Sequence, residues 1–153
     1  MTRLSKTLIW FGALPFLASI VLYHLDVLLN ELSGDVLFVL YSATILSFMS
    51  GTLWSNNSHK TSNENSRNLI WSNLWALLSY FALIIQWGFN LTVISLIILL
   101  LGFVHTLSIE YDGQPGNADR SKDLSQTEYL ATRVRITGLV IGFHIAMLLL
   151  VTL

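Results

Sequence analysis

At 153 residues the chain has the length of one ordinary domain, yet 54% of it is hydrophobic and only 11% charged, where a soluble domain carries roughly 25% charged residues. A formal net charge of −1 provides no global field for nucleic acid or an acidic partner. Cysteine is absent, which excludes disulfides, thiolate catalysis, iron–sulfur clusters and cysteine zinc sites.

Charged residues are missing from 7–25, 36–59, 68–109 and 136–153. A helix needs ~20 mostly apolar residues to cross ~30 Å of hydrocarbon. The 42-residue stretch 68–109 therefore holds two crossings and a turn, and each other stretch holds one. The runs are continuously apolar without period-two alternation, so helices are expected and a membrane barrel is not. The fold class is all-α: a polytopic membrane helical bundle with five transmembrane helices, forming a single transmembrane domain over 1–153.

The first helix is expected over about 7–29. Arg3 and Lys6 ahead of an apolar run imitate a cleavable leader, but the run is long enough to span and reads as a crossing. Pro15 falls inside it, where the missing backbone donor should produce a kink. Gly34 marks a short turn before a second helix at about 36–54. A Ser- and Asn-rich loop, 55–68, leads to a third helix at about 69–85. Gln86–Asn90 then turns the chain, with Trp87 suited to the membrane interface, into a fourth helix at about 91–108. The loop 109–125 contains the turn cluster Asp112–Gly116. Ser125 and Glu128 form a capping box that opens a fifth helix at about 126–153.

The basic residues give the orientation. Arg3, Lys6, Lys60, Arg67, Arg120, Lys122, Arg133 and Arg135 all fall on one side of a five-crossing chain. Basic segments are retained in the cytoplasm. The N-terminus and the loops 55–68 and 109–125 are therefore expected to be cytoplasmic, and the C-terminus outside. The expected location is a bacterial inner membrane, or a mitochondrial inner membrane if the protein is organellar.

Helices in lipid gain little from hydrophobic burial against each other, so close contact depends on small residues. Ala43, Ser47 and Gly51 recur at four-residue steps on the second helix, and Gly138, Gly142 and Ala146 on the fifth. Both rows are expected to be helix-contact surfaces, within the fold or with a partner. Leucine at Gly142 should then push backbones apart.

Asp, Glu, Lys and Arg are missing from the middle of every expected helix, which disfavours an ion- or proton-coupled transporter. His105 and His144 both fall in the inner half of the membrane at similar depth, so a facing pair could hold a haem axially, or the site could serve a quinone. The blander reading has each imidazole bonded to a nearby carbonyl or hydroxyl. His59, Glu110 and Asp112 match no metal-ligand spacing, and no metal site is expected.

Three stretches carry a family resemblance. Gly12, Pro15 and Phe16 fit an opening pattern, and Tyr41 through Trp54, including Ser47, fits a signature second helix. Tyr129, Arg133 and Thr137 fit the entry to the last helix. The chain thereby resembles a domain of unknown function found in small bacterial membrane proteins and in the mitochondrial transmembrane protein 69. Ser50 and Ser55 stand where that family has glycine. The resemblance implies the five-helix architecture and no activity. The expected function is a non-enzymatic accessory, assembly or structural partner of a membrane complex. Its partners would be the lipid bilayer and a membrane protein or further copies of itself. The alternative is a membrane-embedded haem- or quinone-binding redox protein using His105 and His144.

Overall fold

The computed structural model describes Thr7 and residues 10–29, 31–57, 63–112 and 124–153, with side chains at 7, 10–29, 31–52, 69–109 and 131–153. Its named elements are α1 (Leu14–His24), α2 (Gly34–Asn57), α3 (Asn63–Phe89), α4 (Thr92–Asp112) and α5 (Leu124–Thr152). Among the described residues the only β feature is an isolated bridge between Leu29 and Leu32. Four helices are long and apolar enough to cross a membrane, over Gly34–Thr52, Leu69–Phe89, Thr92–Ile109 and Ala131–Thr152. α1 is apolar but has only 11 residues, which is about 16 Å of helix.

The first segment departs most from expectation. Trp10 and Phe11 are helical, but the chain turns at Gly12–Ala13 before α1 begins. Pro15 therefore lies in the first turn of α1 and does not kink a continuous helix. A proline costs nothing there, because first-turn N–H groups have no helical acceptor in any case. At the other end α1 stops at His24, short of the expected residue 29. Asp26 adopts a left-handed φ of 52°, and two reversed bonds close the end: Asp26 N–H to the Tyr23 carbonyl at 3.1 Å and Val27 N–H to that of Leu22 at 3.0 Å. That pair is the Schellman arrangement, here with aspartate in the place glycine usually takes.

The other helices run longer than the apolar windows suggest. α2 continues to Asn57 and α3 starts at Asn63, so most of the expected loop 55–68 is helical and only 58–62 lies outside the described residues. α4 extends to Asp112 and α5 starts at Leu124, one residue ahead of the serine expected to cap it. Ser125, Glu128 and His59 lie outside the described side chains, as do Glu110 and Asp112. The turn expected over Gln86–Asn90 is tighter than predicted. α3 runs through Phe89, and Asn90 alone takes a left-handed φ of 52°, its N–H bonded to the Gln86 carbonyl at 3.0 Å. Asparagine tolerates that conformation better than most residues.

Serine seams join α2, α3 and α4. On α3 the buried residues Ser72, Trp75, Ser79, Ala82 and Gln86 alternate at steps of three and four, which keeps one stripe facing its neighbours. The Ser79 hydroxyl meets that of Ser47 on α2 at 2.6 Å. The Ser72 hydroxyl donates to the Ser50 carbonyl on α2. From α4, the Ser95 hydroxyl donates to the Ala82 carbonyl at 2.9 Å. Small hydroxyl residues allow backbones to approach and also supply interhelical hydrogen bonds. At the start of α2, Asp35 accepts from the hydroxyls of Ser33 and of Thr92, the latter at 2.9 Å, so the first turns of α2 and α4 are tied together.

Candidate functional site

Phe16 of α1 is fully buried at the centre of an aromatic cluster. Its ring centroid lies 4.8 Å from Tyr41, 5.3 Å from Phe38, 5.9 Å from His144, 6.3 Å from Phe143 and 6.5 Å from Phe103. The Tyr41 hydroxyl donates to the Gly12 carbonyl at 2.8 Å, in the turn that interrupts the first segment. Irregular backbone is tolerated at membrane depth only where other groups satisfy it, and this phenol does so. Gly12, Pro15, Phe16 and Tyr41, which carry the family resemblance, thus form one local structure.

His144 of α5 is completely buried in that cluster. Its Nδ1 lies 2.9 Å from the Val140 carbonyl. A carbonyl only accepts, so Nδ1 carries the proton and Nε2 is a bare lone pair in the neutral ring. That Nε2 is enclosed without a hydrogen-bond partner among the described residues, and the centroid of its ring lies 4.9 Å from that of Phe38, 5.0 Å from that of Phe103 and 5.9 Å from that of Phe16.

His105 of α4 has the opposite arrangement. The indole Nε1–H of Trp75 donates to its Nδ1 at 2.9 Å. An indole nitrogen can only donate, so Nδ1 is the bare atom and Nε2 holds the proton. The half-buried ring packs 4.7 Å from Trp71 and 5.6 Å from Trp75. Phe103 and His105, two residues apart on α4, point about 200° apart around the helix. Phe103 faces His144, so His105 faces away from it. The two imidazoles considered for a haem lie in separate clusters, with opposite tautomers and different neighbours.

The small-residue rows divide. Ala43 is buried and Ser47 bonds Ser79, but a Cβ added at Gly51, Gly138 or Gly142 meets nothing within 4 Å. Ala146 is half-buried. Within the described residues, then, Gly138 and Gly142 of the α5 row make no close contact inside the fold. The close contacts lie at glycines read differently from the sequence. Gly34, taken for a turn signal, packs against the backbone of Ser19 and Tyr23. Gly102, inside an apolar run, lies under Leu46 and Trp75, the latter 3.1 Å from an added Cβ. Ser72, Ser79 and Gln86 are buried too, and their seven-residue spacing is the sequence signal of that stripe. Of the remaining family-motif positions, Thr137 is buried and Arg133 half-buried. Trp54 and Tyr129 lie on α2 and α5 with side chains outside the described residues.

The fold and its buried seams define an all-α bundle whose four long helices have the length and apolar composition of membrane spans. The chain belongs to DUF3429, a family of proteins of unknown function, whose family model matches residues 1–149. No curated protein and no solved structure matches it.

Proposed function

We propose that this protein is a non-enzymatic inner-membrane component that acts as an accessory, assembly or structural partner in a membrane complex, either with another membrane protein or with further copies of itself. The open face of α5 carries the reading. Only 22% of the α5 span is buried, against 44% of the α2 span, and Gly138 and Gly142 lie bare on it. Bare glycines weaken a helix by about 1 kcal/mol each relative to alanine, and they repay that cost where another helix approaches closely.

Mild detergent extraction should recover the protein in an assembly larger than its own 17.2 kDa plus micelle. Gly142→Leu should shrink that assembly without lowering the thermal midpoint of the bundle, since the site is open within the fold. Migration as a lone monomer in several mild detergents, with nothing enriched by crosslinking in cells, would overturn the proposal.

The orientation belongs to the same reading: five crossings, the first made by α1 together with the helical residues ahead of Gly12, N-terminus cytoplasmic, C-terminus outside. The support is the placement of all eight basic residues on one side of such a chain. The protein has no cysteine, so single cysteines at Ser33, Ser58, Ser121 and a C-terminal extension can be labelled without background. An impermeant thiol reagent added to sealed cells should reach Ser33 and the extension only. Labelling at Ser58 or Ser121 would falsify the assignment.

A further inference from the structure

His105 is set up as a donor whose proton meets no acceptor among the described residues. The Trp75 indole occupies Nδ1, which confines the proton to Nε2. That nitrogen has no partner among the described residues, and unlike Nε2 of His144 it is not sealed in. Gly102 leaves room for the arrangement: a Cβ there would meet the Leu46 side chain first and come within 3.1 Å of the Trp75 ring. Trp71, at 36% exposure, lies 4.7 Å from the imidazole and forms an aromatic wall open to the surroundings.

Depth restricts what can accept the proton. His105 lies four residues inside the Ile109 end of its apolar span, and Trp75 six residues inside the Leu69 end of its own, about 6 and 9 Å of helix. Water is scarce there and an unmade hydrogen bond is costly. Lipid phosphates and esters lie toward the ends of such a span. An acceptor suited to that depth is apolar enough to enter the hydrocarbon and still carries an exposed oxygen, and a flat ring would stack on Trp71.

We propose that His105, Trp71 and Trp75 form a binding site for a lipophilic quinone-type compound, with His105 Nε2–H donating to a ring carbonyl and Trp71 stacking on the ring. The site lies on α3 and α4, away from the α5 glycine face, so it stands or falls independently of the accessory reading.

The probe is decylubiquinone, added to the full chain in lipid nanodiscs free of endogenous quinone. Tryptophan fluorescence should be quenched saturably. His105→Leu should weaken binding at least tenfold, His105→Gln, which can still donate, should restore part of it, and His144→Leu should leave it unchanged. Two measurements on the unaltered protein do not depend on a variant folding. Imidazole 15N spectra should show His105 protonated at Nε2, with that resonance shifting on quinone addition. A photoreactive quinone should label peptides containing Trp71, Trp75 or His105. The proposal is overturned by non-saturable quenching, by labelling confined to other helices, or by an Nε2 proton already bonded in phospholipid alone that quinone does not perturb. The last outcome would assign the donor to lipid esters.

Discussion

Replacing Gly34 by alanine should destabilise the bundle by about 2–3 kcal/mol, the upper part of the range for an overpacked core. The backbone at Gly34 is not left-handed, so alanine is conformationally acceptable and the whole effect comes from space. An added methyl would meet backbone atoms of Ser19 and Tyr23, and α1 must move as a unit to admit it. Gly102→Ala provides the intermediate case. Its methyl meets the end of the Leu46 side chain and the Trp75 ring, which can shift, for about 1 kcal/mol. Gly142→Ala faces open space and should be neutral, or stabilising by up to about 1 kcal/mol through helix propensity. Thermal midpoints in one detergent would rank the three variants. An order with Gly142→Ala at the bottom would mean that α1 and α2 do not pack as described.

Phe16→Ala should have the largest effect of any core truncation, at about 3–5 kcal/mol. Its ring touches residues of α2, α4 and α5 at once, and in a bilayer that close packing is the main attraction between helices. Losing it should release α1 from the bundle, which a cysteine at Ser19, buried in the intact protein, would report by becoming reactive. Tyr41→Phe keeps the ring contact and removes only the bond to Gly12, so it should cost about 1 kcal/mol. Equal losses for the two variants would mean that the phenol, not the ring, holds α1 in place.

The helical class and the positions of the four long spans were legible in the sequence, because both follow from the length of charge-free apolar runs. A backbone in hydrocarbon must bond to itself, and a run of ~20 residues has one way to do so. The break at Gly12–Ala13 was not legible, since Pro15 has the same composition whether it kinks a helix or begins one. Nor was the end of α1, where aspartate occupies a position the reader expects glycine to mark. Run length reports how much chain is apolar and leaves the caps unspecified.

Which faces meet was decided by tertiary structure alone. Phe38 is fully buried and Phe48 is 71% exposed on the same helix, though both suit lipid and core equally well. In water, polarity would separate an inner face from an outer one. In a membrane helix both are apolar, so the pattern loses its main signal. Small residues carry the same ambiguity. Gly34 and Gly102 lie against neighbours while Gly138 and Gly142 lie open, and spacing alone favoured the second pair. The histidines show it for chemistry. From the sequence, two imidazoles are expected at comparable depth. Only the packed structure, by setting the Val140 carbonyl beside one and the Trp75 indole beside the other, decided where each proton resides, because a tautomer is chosen by the partner and not by the residue.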